Sequence, residues 1–255
     1  MQVRFDFTNS SIVVSGGTRG IGHAIATLFA RAGARVAVIA RNADQLAARR
    51  EEWAAEGLMV TCIQGDVSDA AQRHSVARQC LEQFERIHAL VLSAGTNIRK
   101  PTVEYSTEDI ARVWDTNMHG SFELARGLHP ALKRAGTASL LFIGSTAGLS
   151  TVPTGAPYAM SKAAIAQLTR YLAVEWAVDG IRCNCIAPWY IRTPLVEGVL
   201  SDPAWYERVL SRTPLGRVGE VEEVAGLAAF LCSEAASYIS GQVIAVDGGF
   251  MAKGM

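Results

Sequence analysis

Tyr158 and Lys162 stand four positions apart in the sequence, and Ser145 precedes the tyrosine by thirteen positions. On a helix, residues i and i+4 share one face, so the phenol and the ammonium group can reach a common site. A free tyrosine has a pKa of about 10, which is too high for proton transfer near neutrality. A cation beside it favours the phenolate and lowers that pKa, and a nearby serine hydroxyl can hold a substrate oxygen. Because an ordinary amphipathic helix also carries this spacing by chance, its interpretation depends on the rest of the chain.

A glycine-rich turn near the start of the chain forms the second motif. An apolar run over residues 12–15 leads into Gly16, Gly20 and Gly22, and apolar residues then recur with a helical period. Glycines let the backbone approach a ligand closely, and the N-terminus of the following helix offers free N–H groups that suit a pyrophosphate. A second apolar run at 36–40 follows, so the pattern predicts a dinucleotide site rather than a simple corner between strand and helix.

The charges after the second strand predict which dinucleotide binds. Enzymes that prefer NAD usually end this strand with an acid that contacts the adenosine ribose. Here the strand ends without an acid and Arg41 follows at once, while Arg19 lies in the glycine turn. Two guanidinium groups suit a 2′-phosphate, so NADP(H) is expected. NAD(H) is the less favoured alternative, because Arg41 could face solvent and Asp44 could fold back onto the ribose.

Together these motifs resemble the short-chain dehydrogenase/reductase family over essentially the whole chain. Asn117 matches the catalytic asparagine of that family, and Val246-Asp247-Gly248-Gly249 is similar to its C-terminal signature. The resemblance implies that Asn117, Ser145, Tyr158 and Lys162 are catalytic. It implies that Tyr158 transfers the proton, that Ser145 and Tyr158 bind the developing oxyanion, that Lys162 also holds the nicotinamide ribose, and that Asn117 anchors a water.

The resemblance also implies which residues hold the dinucleotide. Asp66 and Val67 match the pair that binds the adenine, Pro188 begins the segment beside the nicotinamide, and Thr193 matches the threonine that binds the carboxamide. The expected cofactor-binding set is Ser15, Gly16, Thr18, Arg19, Gly20, Ile21, Gly22, Arg41, Asp66, Val67, Ser93, Ala94, Gly95, Tyr158, Lys162, Pro188, Ile191 and Thr193.

Three positions depart from the family pattern. Ser15 replaces the usual threonine but keeps the hydroxyl, whereas Ser93 replaces an asparagine whose amide ties the central strands together. Trp189 replaces the usual glycine after the proline, so it is expected to narrow the pocket beside the nicotinamide. The segments 95–100 and 187–195 most resemble tropinone reductases and tropinone-reductase-like proteins, which share this tryptophan, so it is interpreted as shaping the substrate pocket.

Composition bounds the fold and argues against several classes of partner. The chain has 255 residues, 49% of them hydrophobic, and its 24 basic and 24 acidic residues give a formal net charge of +0. One α/β domain over residues 1–255 is expected, with neither a nucleic-acid nor a membrane partner. Five cysteines without CxxC spacing and five scattered histidines predict no metal site. No signal peptide or transmembrane run is expected, and a reducing cytoplasm fits.

Apolar runs and helical stretches alternate along the chain. Strands are predicted at 12–15, 36–40, 60–65, 89–93, 140–144, 182–186 and 243–246, and helices at 21–32, 44–56, 70–85, 107–135 and 157–179. Alternation with nearly continuous apolar strands predicts a single-domain doubly wound Rossmann fold, with a seven-stranded parallel sheet and helices on both faces.

The segment 189–218 interrupts this alternation and is rich in prolines and large apolar residues. By the resemblance it is the mobile substrate-binding lid. The expected wall of the substrate pocket is Ile98, Val152, Trp189, Tyr190, Leu195, Val196, Val199 and Trp205. A wall of this kind selects by shape and favours a small, largely apolar ketone, cyclic and bicyclic ketones among them.

The main interpretation is an NADP(H)-dependent oxidoreductase that reduces such a ketone to a secondary alcohol, or catalyses the reverse. One alternative is 3-oxoacyl-carrier-protein reductase, which would need a basic patch near the pocket entrance; Arg99 and Lys100 are candidates. Another is a non-catalytic dinucleotide-binding sensor or scaffold. The presence of both Tyr158 and Lys162 argues against the latter.

Self-association is expected through the two long helices predicted at 107–135 and 157–179. They carry apolar residues on more than one face, and in the family they pair with their symmetry mates. The apolar residues include Leu124, Leu128, Leu132, Leu168, Leu172 and Trp176. A second contact through the C-terminal strand with Phe250 and Met251 would give a homotetramer, whereas one contact alone gives a dimer.

Overall fold

A parallel sheet of seven strands organises the computed structural model, which describes residues 5–253. The strands are β1 (Ser11–Ser15), β2 (Arg35–Ala40), β3 (Val60–Gln64), β4 (Ala89–Leu92), β5 (Ala138–Ile143), β6 (Ile181–Pro188) and β7 (Val243–Val246). Their order is β3-β2-β1-β4-β5-β6-β7. The expected sheet is confirmed, with strand ends within one or two residues of the predicted ones. Residues 1–4 and 254–255 of the expected domain lie outside the described range. Residues 1–4 also belong to the N-terminal segment for which no signal peptide was expected.

Both faces of the sheet are covered by helices. The α-helices of the described residues are α1 (Gly20–Arg31), α2 (Ala43–Ala55), α3 (Ala70–Gln83), α4 (Thr107–Trp114), α5 (Gly120–Ala135), α6 (Ala156–Glu175), α7 (Pro194–Leu200), α8 (Pro203–Arg212) and α9 (Val221–Cys232). Successive strand residues point to opposite faces, and both faces are apolar: Leu140 packs in the cluster with α3, α5 and α6, whereas Leu141 packs in the cluster with α1, α2 and α9. The doubly wound fold is confirmed.

The strand order reverses between β1 and β4, and the site lies where their carboxyl ends separate. In open α/β sheets, ligands bind in the crevice at this point. The two strand ends are tied together by Ser15, whose hydroxyl accepts a hydrogen bond from the Ala94 N–H (3.3 Å) and whose carbonyl accepts one from the Ser93 N–H (3.2 Å). Ser15 thus supplies a side-chain tie next to the position where the family asparagine is replaced by Ser93.

The helix predicted over 107–135 is not one uniform helix. A single π-helical turn, Asp115–His119, separates α4 from α5, and the Gly120 N–H bonds to the carbonyl of Asp115. A π turn inserts an extra residue and often marks a functional position. Asn117 lies in this turn and is 1% exposed. The helix predicted at 157–179 likewise ends early, at Glu175, because a 3-10 turn at Ala177–Asp179 and a left-handed Gly180 (φ 73°) redirect the chain into β6.

The apolar residues expected to form a second helix face are mostly in the core. Leu124, Leu128 and Leu132 of α5 are all buried against the sheet, and Leu172 and Trp176 are buried as well, with Leu168 packed at the edge of the same cluster. The expectation that these residues leave a second apolar face for a partner was wrong, because they pack into the core of their own chain. The outward apolar face of α6 carries different residues, Met160, Tyr171 and Val174, and Val178 continues it beyond the helix end.

The segment 189–218 forms α7 and α8 above the carboxyl edge of the sheet. Its first residues are attached to the body through an isolated parallel bridge between Ile191 and Gly219. Within residues 5–253, no helix has the length and apolar content needed to cross a membrane. The same residues contain no cluster of three or more side chains that could hold a metal ion.

Candidate active site

Tyr158 and Lys162 share one face of α6 and meet Ser145, which follows β5 directly. The Ser145 side chain and the Tyr158 phenol border one small cavity, and the serine hydroxyl acts to lower the pKa of the phenol. The Lys162 Nζ atom lies 5.7 Å from the centre of the Tyr158 ring. The same atom donates a 2.8 Å hydrogen bond to the Ile143 carbonyl. The three residues whose spacing suggested chemistry are therefore brought together.

The electrostatics of the pair differ from the sequence-based expectation. Burial raises the pKa of Tyr158, while the hydrogen bond from Ser145 and the charge of Arg99 act in the opposite direction. Burial also lowers the pKa of Lys162 to about 8. The expected lowering of the tyrosine pKa by Lys162 is not found, because desolvation of the phenol outweighs the effects of Ser145 and Arg99. Tyr158 is therefore protonated at neutral pH, as a proton donor must be.

Asn117 holds together the elements around Tyr158 and Lys162. Its Oδ1 atom accepts from the Thr96 N–H (2.8 Å), and its Nδ2 group donates to the Thr96 carbonyl (3.0 Å) and to Ser161 Oγ (3.0 Å). Ser161 in turn donates to the Tyr158 carbonyl (2.7 Å). The carboxamide thus bonds to the loop after β4 and to α6 rather than within its own helix. The expected role of Asn117 as a water anchor stays a prediction, and Ser161 is a partner that sequence reasoning missed.

A cleft of about 310 Å³ runs along the carboxyl ends of β1, β2, β4 and β5. With one exception, every residue of the expected cofactor-binding set lines it. The exception is Ser15, which lies beneath the cleft and bonds to Ala94 instead. Ile143, Trp189, Leu195 and Val196 also border the cleft, so its far end opens towards the lid.

The glycines of the turn stand where a side chain would clash with the neighbouring backbone. A Cβ atom on Gly22 would lie 2.3 Å from the Gly16 carbonyl oxygen, and one on Gly16 would lie 2.8 Å from the Ala94 backbone. Gly16 and Gly20 have φ of 71° and 54°, which side chains disfavour. At the N-terminus of α1, Arg19 makes no side-chain cap and the first turn has no acid. The free N–H groups and the dipole there fit the pyrophosphate of a dinucleotide.

The end of the cleft that is expected to hold the adenosine carries both expected arginines. Arg19 and Arg41 line it together with Asn42, Gln45 and Asp66. Asn42 is occupied as the N-cap of α2, where its side chain accepts from the Gln45 N–H (2.8 Å). The acid nearest to Arg41 is Asp66, whose Oδ2 lies 3.8 Å from Nη1. Asp44, the acid that could have favoured NAD, does not line the cleft.

The expected substrate side divides into an inner and an outer cavity. The inner cavity, of about 60 Å³, reaches Ser145 and Tyr158 and is bordered by five residues of the expected wall. These five are Val152, Trp189, Tyr190, Leu195 and Val196. Val199 and Trp205 border the outer cavity of about 990 Å³ instead. The expected wall is therefore split between two depths, which the sequence order could not reveal.

Ile98 does not belong to this wall. It borders none of the cavities described here, and its carbonyl accepts a hydrogen bond from the Tyr105 hydroxyl. Its neighbours Asn97 and Arg99 line the inner cavity instead, together with Thr154. The expectation of a largely apolar wall holds on the lid side only. Sequence reasoning missed Asn97 and Thr154, although the run of polar residues after β4 was a usable signal.

Trp189 both borders the inner cavity and is fixed by packing. Its ring stacks on Phe250 with a centroid distance of 3.8 Å and an interplanar angle of 5°. Its indole N–H donates to Thr213 Oγ1 at 3.1 Å. Phe250, which was expected to contribute to a subunit contact, is therefore engaged within its own chain. The indole is a rigid partition, because it also borders a third cavity of about 320 Å³ under α8.

Comparison with known proteins agrees with this geometry over the whole fold. A family model described as enoyl-(acyl carrier protein) reductase matches residues 16–251. Two tropinone reductase homologs from Arabidopsis thaliana are 48% and 44% identical over 252 and 253 residues, covering 98% of this chain and 96% and 94% of the relatives. A solved gluconate 5-dehydrogenase from Burkholderia cenocepacia, in complex with NADP and tartrate, is 31% identical with a TM-score of 0.93, covering 98% of each chain. The chain therefore belongs to the short-chain dehydrogenase/reductase family of oxidoreductases.

Proposed function

We propose that the protein is an NADP(H)-dependent oxidoreductase that interconverts a small ketone and the corresponding secondary alcohol. The observation that carries this proposal is that Ser145 and Tyr158 border both the inner cavity and the dinucleotide cleft. Two hydroxyl donors that border the same cavity suit the oxygen of a carbonyl group as it gains negative charge.

The bound dinucleotide would supply the hydride. Ser145 and Tyr158 bind the substrate oxygen, and Tyr158 gives its proton to that oxygen as the C–H bond forms. Lys162, held by the Ile143 carbonyl, supports the phenolate that remains and reaches the cleft where the nicotinamide ribose would lie. The overall reaction is ketone plus NADPH plus a proton to alcohol plus NADP⁺.

The proposed reaction is tested by following NADPH absorbance with a panel of small ketones. Turnover by the wild-type protein, and its loss in Tyr158→Phe, supports the proposal. If the protein binds NADPH but does not oxidise it in the presence of any ketone of the panel, it would instead be the dinucleotide-binding sensor or scaffold. Dinucleotide binding is measured separately by fluorescence, so that loss of binding and loss of turnover are distinguished.

Preference for NADP(H) rests on Arg19 and Arg41 at the adenosine end of the cleft. Arg41→Asp should weaken NADPH relative to NADH by roughly 2 kcal/mol, or about thirty-fold, since a carboxylate would replace a phosphate-binding cation. Arg86→Asp is the matched control, because Arg86 is exposed before β4 at the opposite edge of the sheet. Equal affinity of the parent protein for NADH and NADPH would contradict the preference.

Reduction of a 3-oxoacyl group on a carrier protein is the second candidate. It is favoured by Arg208, Arg212 and Lys253, which line the third cavity with no acid among its bordering residues. An acidic carrier could dock on this side. NADPH consumption is compared for one 3-oxoacyl chain presented on its carrier protein and as a free thioester. A large advantage for the carrier-bound form would favour this candidate over a free small ketone.

We further propose a homotetramer, with pairing through the outer face of α6. Val174 is 80% exposed on that face, and Met160 and Tyr171 are exposed along the same stripe. Sedimentation of the wild type should show an oligomer, and Val174→Glu should dissociate this contact, whereas a stable wild-type monomer would exclude it. A dimer would support one contact only.

A cytoplasmic location is proposed as well, since the described cysteines are all free thiols.

A further inference from the structure

The loop after β4 places Asn97 in the wall of the inner cavity. Its Nδ2 group donates a 2.7 Å hydrogen bond to Thr154 Oγ1, and Thr154 is buried. The Oδ1 atom of the same side chain is buried and has no hydrogen-bond partner among the described residues. A buried polar atom without a partner costs about 1–3 kcal/mol, so its presence beside Ser145 and Tyr158 points to a ligand group that completes it.

The position of this amide is fixed by its surroundings. The Tyr105 hydroxyl donates to the Ile98 carbonyl and accepts from the Lys100 N–H (3.2 Å), which clamps the loop on both sides of Arg99. Gly155 makes room for that hydroxyl, since a Cβ atom there would lie 2.1 Å from it. The Lys100 ammonium is also paired with Asp109 at 2.6 Å. The loop is therefore preorganised to present Asn97 and Arg99.

Arg99 adds a positive charge to the same wall. It borders both the inner and the outer cavity, and its charge acts on the Tyr158 phenol. No acid borders the inner cavity, and no carboxylate among the described residues forms an ion pair with Arg99. Asp202 borders the outer cavity but makes no such pair. An anionic group on a substrate would satisfy this guanidinium, whereas an ammonium group would be repelled.

We propose that Asn97 and Arg99 form a specificity subsite for a hydroxyl group and an acid group carried by the ketone, so that the substrate class is small hydroxylated oxo acids. This inference rests on the proposed ketone reductase function. A hydroxyl group both donates and accepts, so it completes the Asn97 carboxamide whichever of its two heteroatoms faces Thr154. An apolar bicyclic amine, by contrast, would leave Asn97 unpaired and would face Arg99.

Five compounds with the same three-carbon skeleton separate the two groups. Hydroxypyruvate carries both the hydroxyl and the acid, pyruvate only the acid, hydroxyacetone only the hydroxyl, acetone neither, and aminoacetone an ammonium group. With NADPH saturating, kcat/KM of the wild type should be highest for hydroxypyruvate. Loss of either group should lower it at least about tenfold, because the buried Asn97 oxygen is then left unpaired or the charge-assisted hydrogen bonds to the exposed Arg99 are lost. Aminoacetone should be the poorest substrate.

The variants assign each preference to one residue. Arg99→Met should remove the advantage of the acid but keep that of the hydroxyl, and Arg99→Lys should retain part of it. Asn97→Leu should remove the advantage of the hydroxyl but keep that of the acid. If Asn97→Leu folds poorly, Thr154→Val offers a second way to disturb the Asn97 amide. Arg112→Gln is the control for charge, since Arg112 is exposed on α4 and borders none of the cavities described here.

The outcomes separate this inference from the proposed function. The subsite is overturned, while the ketone reductase stands, if kcat/KM for acetone or a larger apolar ketone equals that for hydroxypyruvate. The same holds if the variants lower kcat/KM by the same factor for every compound. If no ketone consumes NADPH, the proposed function itself fails. Preference for hydroxypyruvate that is lost group by group in the variants supports the subsite.

Discussion

The two sides of the inner cavity are held to the protein in very different ways. On the side proposed to be catalytic, α6 has eight buried residues, including Ser161 and Lys162. On the lid side, α7 has no buried residue, and Leu195 at its start is 42% exposed although it borders the cavity. The groups proposed to make and break bonds are therefore anchored in the core, while part of the expected substrate wall is carried by a segment without buried residues. Chemistry and substrate choice can vary independently in such an arrangement.

The largest expected effect is a difference in backbone opening between these two sides. Amides in α7 should exchange at least about a thousand-fold faster than those in the centre of α6. Opening of α7 breaks few buried contacts, whereas α6 opens only with global unfolding, which costs about 5–15 kcal/mol. Hydrogen exchange measured by mass spectrometry tests this, and exchange in α7 should slow when NADPH and an alcohol product are added together. Similar protection in both helices would remove the contrast.

A smaller but still large effect is expected on the catalytic side. Tyr158→Phe removes the proton donor and one oxyanion donor while keeping the ring, so kcat should fall at least about a hundred-fold. NADPH affinity should change little. Tyr238→Phe is the matched control, because Tyr238 is fully exposed. Turnover of Tyr158→Phe close to that of the control would refute the assignment of Tyr158 as the acid.

The pH dependence follows from Lys162, whose pKa burial lowers to about 8. Below this value the ammonium group is charged and can support the phenolate of Tyr158; above it the charge is lost. The rate of reduction at subsaturating NADPH should therefore fall as the pH rises through about 8, by up to tenfold per unit. Lys162→Arg keeps its charge, so its fall should move to higher pH. An unchanged profile in that variant would assign the fall to another group.

The same contrast explains which features the sequence could predict. The sheet, the glycine turn and the cluster of Ser145, Tyr158 and Lys162 followed from apolar periodicity and short-range spacing. The depth of each wall residue did not follow, since Val196 and Val199 are close in sequence yet border different cavities. The pKa of Tyr158 was also predicted in the wrong direction, because burial is a property of the whole fold and not of a motif.

The smallest expected effect concerns the partition that Trp189 forms on the lid side. Trp189→Gly should join the inner cavity to the third cavity, since the indole borders both. Bulkier ketones should then be accepted, while kcat/KM for small ketones should drop a few-fold because the wall no longer positions them. Trp189→Phe keeps a ring against Phe250 and loses only the hydrogen bond to Thr213, so its substrate range should stay near that of the wild type.

Trp205→Phe provides the comparison between the two tryptophans. Trp205 borders the outer and third cavities but not the inner one, and its indole N–H donates to the Tyr190 hydroxyl at 3.0 Å. Replacing it should leave the ranking of small ketones unchanged, because the atoms nearest to Ser145 and Tyr158 are untouched. Kinetics over a size series of ketones test both residues together. If Trp189→Gly also left the ranking unchanged, Trp189 would serve to pack Phe250 and the C-terminal segment, and substrate selection would fall to the opposite wall with Asn97 and Arg99.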